Sequence, residues 1–244
     1  MTRGRFGAAM MAVALVIGGA VWFWWSRSAT AAGCSASAPR DAGAPPVNSL
    51  VVAEQGLSKV GPWTFSVGAI VANRATGPAA YRATVSFRLV DAGGREVAAL
   101  APRSVPVVLP GAGLPVGAVI DVRPEQGAAV ARVDAVVQGG RWVKVERYNP
   151  LFHRYDVLAE SDGPGPPDFL LPANLAMVPC RGLSASGGAI VYRDAGGAIV
   201  GGEAVAYNGE YCAGTHAGDR VAGRHVPDGI EARRTQIAVY CDVG

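Results

Sequence analysis

The chain has 244 residues, of which 50% are hydrophobic, 7% aromatic and 17% charged. That is material for one or two cored domains, and it excludes a disordered polyelectrolyte or a coiled coil. The formal net charge of +3 falls once Arg3 and Arg5 are set apart, leaving 20 basic against 19 acidic residues with no basic run longer than Arg233-Arg234, so the patch that nucleic acid requires is missing.

Residues 1–5 read as a cytoplasmic tip and residues 6–26 as a transmembrane signal-anchor. Phe6 to Trp25 is a run of twenty residues without a charge, and at 1.5 Å per residue it reaches about 30 Å, the hydrocarbon thickness of a bilayer. Arg3 and Arg5 precede it without a balancing acid, which keeps the N-terminus inside. Trp22-Phe23-Trp24-Trp25 forms an aromatic belt at the far side. Two other readings stay open. Ala29-Thr30-Ala31 fits a signal-peptidase site. Ala31-Ala32-Gly33-Cys34 resembles a lipobox, with lipidation at Cys34. All three place residues 35–244 outside the cytoplasm. Residues 27–49, rich in Ser, Ala, Gly and Pro, read as a flexible tether.

With 33 Gly and 17 Pro, the remainder favours short strands and turns over helices. Residues 50–148 read as a first β-sandwich. Phe65, Val67, Ala69 and Val71 alternate up to Asn73. Tyr81, Ala83, Val85, Phe87 and Leu89 alternate with Arg82, Thr84, Ser86 and Arg88, the period of a half-buried strand. Asp91-Ala92-Gly93-Gly94 is a turn signal, and Glu96 to Leu100 completes a hairpin. Further strands are expected at 116–122, 132–137 and 142–145. Residues 149–168 read as a linker, because Asp162-Gly163-Pro164-Gly165-Pro166-Pro167 suits neither helix nor central strand. Within it Leu151 to Leu158 is apolar enough to form a short helix docking one repeat on the other.

Residues 169–244 read as a second sandwich that repeats the landmarks of the first. Ala69-Ile70-Val71 has a counterpart in Ala176-Met177-Val178, Asp91-Ala92-Gly93-Gly94 in Asp194-Ala195-Gly196-Gly197, and Leu109-Pro110 in Val226-Pro227. The spacing of the third pair implies an inserted loop at 203–225. Ser184-Ala185-Ser186-Gly187-Gly188 reads as a turn.

Phe87-Arg88-Leu89-Val90-Asp91 followed by Gly-Gly resembles the FxLYD family of small extracytoplasmic β-sandwich domains, with Val90 in place of the Tyr. The strand ending at Asn73 and the Leu109-Pro110-Gly111 turn sit where that family has a strand ending in Asn and a proline-glycine turn. Tyr192-Arg193-Asp194 with Ile199-Val200-Gly201-Gly202 is similar to the same hairpin, Ile190 standing for the Phe. The resemblance implies an all-β chain of two Ig-like or FxLYD-like sandwiches behind one transmembrane helix. The family shares no enzymatic activity, so it implies fold more than function.

Cys180, Cys212 and Cys241 lie in the second repeat, on the oxidising side of a membrane, so a disulfide is expected. Cys180 with Cys241 joins an early strand to the last one; a pair involving Cys212 is the alternative. Reduction is then expected to unfold the second repeat alone. Cys212, His216, Asp219 and His225 include metal-ligating types, but their spacing matches no zinc pattern and no metal or cofactor is assigned. No Gly-x-Ser-x-Gly elbow occurs and the Gly-rich tracts open no helix, so no catalytic residue is assigned and the chain reads as a non-enzyme. The expected function is that of a membrane-anchored extracytoplasmic binding protein of the bacterial cell envelope, with an envelope protein or the cell wall as partner. The alternative is a small-ligand or metal sensor using the loop at 203–225.

Overall fold

The computed structural model describes residues 35–45, 47–152, 156–158, 168–170, 182–206, 212 and 220–243. Their strands, in chain order, are β1 (Leu50–Lys59), β2 (Thr64–Asn73), β3 (Ala79–Asp91), β4 (Glu96–Ala99), β5 (Arg103–Val108), β6 (Gly113–Asp121), β7 (Val130–Gln138), β8 (Arg141–Val143), β9 (Asp156–Leu158), β10 (Asp168–Leu170), β11 (Leu183–Arg193), β12 (Ile199–Val205), β13 (Arg220–Ala222) and β14 (Gln236–Val243). The described residues are all-β, with only short 3-10 turns besides. Among them no helix is long and apolar enough to cross a membrane. The segment 6–26, expected to be an anchor, lies outside the described residues.

The alternation around Phe87 builds the longest strand. Tyr81, Ala83, Val85, Phe87 and Leu89 are buried, while Arg82 and Arg88 between them are exposed. β3 forms the middle of a five-stranded antiparallel sheet, with β4 and β5 along one edge and β7 and β8 along the other. A second sheet, in the order β1-β2-β6, packs Phe65, Val67, Ala69 and Val71 of β2 against the buried face of β3. These two antiparallel sheets pack face to face as a β-sandwich.

The third sheet runs β12-β11-β14-β9, and it lies on the outer face of the second. β2 is therefore covered on both sides, and its alternate residues Ser66, Gly68 and Ile70 face the third sheet. The Ser66 hydroxyl bonds both the amide and the carbonyl of Gly202 at 2.9 Å. Ile70 packs with Val191 and Ile199. A side chain at Gly68 would stand 2.3 Å from the Gly201 carbonyl, and one at Gly117 2.4 Å from the Glu203 amide, so these sheets approach closely only because both residues lack a Cβ. The ribbon β10–β13 brings Val221 onto the opposite face of the third sheet, against Ile190, Tyr192 and Ile237.

The repeated Asp-Ala-Gly-Gly turn is real in atomic detail. Asp91 and Asp194 each receive the amide four residues on, from Arg95 and Ala198, at 2.9 Å. The same two residues return their carbonyls to Asp91 and Asp194, and Gly94 and Gly197 donate back across each turn. Both glycines hold a positive φ, 82° and 89°, which glycine adopts without strain. The Arg95 amide, with its guanidinium, holds the Asp91 carboxyl below the usual carboxylate range.

Three expectations are revised by the strand pairing. Arg88 pairs with Asp134, and Val191, 103 residues later, pairs with Gln236, 102 residues after Asp134. β14 is thus the counterpart of β7, and Val226-Pro227 leads into it as Arg123-Pro124 leads into β7. The true partner of Val226-Pro227 is not Leu109-Pro110, and no insertion at 203–225 is needed; residues 203–205 belong to β12 and 220–222 to β13. Ser184 to Gly188 is not a turn but the start of β11, kinked by a bulge between Ala185 and Gly187; the glycines mark an irregular strand. Ala176-Met177-Val178 lies outside the described residues.

The segments expected to be linkers also take part. Residues 35–45 run along β8 instead of hanging free: Ala42 N–H donates to Trp142 O at 2.7 Å and Lys144 N–H to Arg40 O at 2.9 Å. Arg141 pairs with Asp41 and Arg40 with Glu146, each at 2.6 Å. Within 149–168, Pro150–Phe152 form a buried 3-10 turn rather than a longer helix. Leu151 and Phe152 do dock the halves, packing with Ala79 and Tyr81 on one side and Leu183 and Cys241 on the other. β9 then joins the third sheet.

Candidate functional site

The edge strands β5 and β6 meet the ends of β11, β12 and β14 where the three sheets converge, and a cleft of about 390 Å³ opens between them. Gly117, Gly187 and Gly188 present bare backbone to it, Val105 and Val116 supply apolar wall, and Arg103, Ser104 and Asp242 make it polar at the side. Pro106 of β5 and Pro115 of β6 carry no N–H, which blunts these edges against a further strand. The Tyr240 hydroxyl donates to the Pro115 carbonyl at 2.6 Å.

Asp242 of β14 is held by two neighbouring residues of β3. One carboxylate oxygen receives the Tyr81 hydroxyl at 2.7 Å and the other the Arg82 guanidinium at 2.8 Å. Arg82 lies between the paired positions Tyr81–Val107 and Ala83–Val105, opposite Pro106, and takes a φ of 53°, a conformation that costs energy for a side chain with a Cβ. Burial, reinforced by the hydrogen bond to Asp242 and its charge, pushes the Tyr81 hydroxyl up to about 12. The same carboxylate raises the Arg82 guanidinium further. Arg103 is exposed and has no ionic partner among the described residues, so it is the cation of the cleft still able to meet an acid.

A second polar cluster lies in the third sheet. Glu203, 4% exposed, accepts the Tyr192 hydroxyl and the Arg224 amide at 2.9 Å, and His225 Nδ1 lies 3.4 Å from its other oxygen. Tyr192 is raised by burial first and by the Glu203 charge and hydrogen bond next, so it stays a donor. Each group is satisfied within the cluster, and the arrangement fastens residues 223–226 to the sheet.

The expected site residues are placed differently. Cys241 is bonded to Cys212, with S–S 2.06 Å and Cα–Cα 5.7 Å. That replaces the Cys180–Cys241 pairing, since a sulfur forms one disulfide, and it ties Cys212 to β14. Cys180 lies outside the described residues. The bond also removes the Cys212 thiolate from the candidate metal set. His216 and Asp219 lie outside the described residues, and His225 faces Glu203. The cleft was not foreseen. Arg103, Ser104 and Asp242 are ordinary polar residues on strands, far apart in sequence, and only the packing of three sheets brings them together. Comparison with protein-family models, with curated proteins and with solved structures finds no match for this chain.

Proposed function

We propose that the chain is a membrane-anchored, extracytoplasmic binding protein of the bacterial cell envelope, built from FxLYD-like sandwich repeats, with no catalytic activity. The observation that carries this reading is the cleft at the three-sheet junction. Its volume of about 390 Å³ falls within the range of small-ligand pockets, and its prolines refuse a strand. It suits a compact, partly apolar group, such as a side chain or a cell-wall fragment, with an acidic function for Arg103. Asp242 gives both its oxygens to Tyr81 and Arg82, which suits a structural corner rather than an acid or base. The cleft takes the place of the 203–225 loop as the ligand site in the sensor alternative.

The test uses the full chain in its own membranes. Ala204 is exposed at the cleft, so Ala204→Trp fills the space without burdening the core. Partners cross-linked to wild type are expected to disappear from Ala204→Trp and to weaken in Arg103→Ala. Identical partner sets in all three would refute the cleft as the binding site. A periplasm-active reporter fused after Gly244 is expected to be active; a stable but silent fusion would refute the topology.

A further inference from the structure

Val145 and Tyr148 are 42% and 89% exposed, two of the few large apolar side chains that the described residues leave in solvent. Lys144 and Arg147 beside them are exposed as well. The acid in this run, Glu146, is taken up by Arg40 at 2.6 Å. Neither Lys144 nor Arg147 has an acidic partner among the described residues, and Arg147 lies over the Tyr148 ring, 6.0 Å from its centroid. The run is thus a small face with two spare positive charges, an aliphatic residue and a tyrosine.

Its position in the molecule points to an occupant. The Asn149 side-chain amide donates to the Ser37 carbonyl at 2.9 Å, so the N-terminal chain meets the body right beside Tyr148. Twelve peptide steps separate Ser37 from Trp25, the end of the apolar run, and they reach no more than about 43 Å. β8 is antiparallel to β3, with Val143 opposite Ala79, so residues 144–149 lie beyond the first end of β3. The Asp91 hairpin lies at the other end of that thirteen-residue strand, a further ~40 Å away.

We infer that Lys144, Val145, Arg147 and Tyr148 form a lipid-contact face that rests on anionic headgroups of the bilayer holding the anchor. The inference depends on the anchor reading of residues 6–26. A tyrosine ring settles at the headgroup level, apolar body inward and hydroxyl outward. Each basic residue near an anionic surface strengthens partition about fivefold, so replacing both weakens it about 30-fold. The effect of the face is to fix the sandwich upright, with the Asp91 hairpin away from the membrane.

The experiment places a photo-crosslinking amino acid at 148, or at 95 as control, in the full chain reconstituted into phosphatidylcholine vesicles with or without phosphatidylglycerol. Lipid adducts are expected at 148 well above those at 95, higher with phosphatidylglycerol, and reduced in Lys144→Gln/Arg147→Gln. Adducts at 148 no higher than at 95, in vesicles that keep the chain through an alkaline wash, would overturn the face while leaving the anchor intact. Adducts at 148 indifferent to phosphatidylglycerol and to the double variant would overturn the recognition of anionic headgroups. Release of the chain by the wash would overturn the anchor reading, and the lipid face with it.

Discussion

Glu203 is the residue whose surroundings depart most from what a strand position ordinarily offers. It is a buried acid that accepts from the Tyr192 hydroxyl and the Arg224 amide, with His225 Nδ1 3.4 Å from its other oxygen, and depriving a buried group of a hydrogen-bond partner costs about 1–3 kcal/mol. Tyr192→Phe removes one donor and leaves the shape, so urea unfolding is expected to show a loss within that range; a variant as stable as wild type would show that the contact contributes nothing. Tyr81 gives a pH prediction. Its hydroxyl is raised to about 12, above the value of about 10 for an unfolded tyrosine. The folded state therefore keeps a proton that the unfolded state releases between those values. That stability is complete below about pH 10 and is lost as pH rises through about 12. Melting temperature is expected to fall over this window, and less steeply in Tyr81→Phe; equal slopes would contradict the assignment. Little of this was legible in the sequence. The two Asp-Ala-Gly-Gly turns were, because a turn's chemistry is local. Glu203, Asp242 and Arg103 were not, because their partners are supplied by strands far away in sequence.

At the scale of the element, legibility followed burial. β3 announced itself because one face is wet and one dry, whereas β1 and β5 did not. β1 is only half-buried along much of its length and carries Gly56 midway; β5 is six residues with Pro106 inside. β2 is legible through Phe65, Val67, Ala69 and Val71, but its other face, with Ser66, Gly68 and Ile70, is buried as well. The smallness of Ser66 and Gly68 serves a second sheet contact. Gly117→Ala tests this: its new Cβ would meet the Glu203 amide and the Ile190 carbonyl, at 2.4 and 2.5 Å, and neither backbone can swing aside. Overpacking of this kind costs about 1–3 kcal/mol. Gly111→Ala would be a poor control, because its φ is 67°; Gly77→Ala, with nothing within 4 Å, is a suitable one. Equal unfolding midpoints for Gly117→Ala and Gly77→Ala would show that the sheets have room to give.

For the molecule as a whole, periodicity pointed to strands and the repeat to two similar units, but neither tells which faces meet. Polar contacts tie the third sheet to the first two, among them Ser66 to Gly202, Tyr81 and Arg82 to Asp242, Tyr240 to Pro115, and Arg193 to Glu54 at 2.5 Å. Ala189, Ala238 and Tyr240 even belong to the same apolar cluster as Phe65 and Phe87. The expectation that reduction unfolds only the C-terminal half is revised accordingly. Removing the Cys212–Cys241 bond by Cys212→Ala/Cys241→Ala is expected to cost about 2–5 kcal/mol. Hydrogen exchange is expected to show β2 and β6 losing protection together with β11 and β14. Protection lost in β11 and β14 alone would restore the picture of two independent units. The strand-like segment 35–45 has a mechanical consequence. Two backbone hydrogen bonds, with Trp142 and Lys144, hold it, together with the Asn149 side-chain bonds to Ser37 and surface ion pairs that add at most about 1 kcal/mol each. Under a pull on the N-terminal end it would peel away first, paying out eleven residues, roughly 36 Å of slack, while every sheet stays folded. A load applied at that end would thus reach the sheets only after this length of chain had been spent.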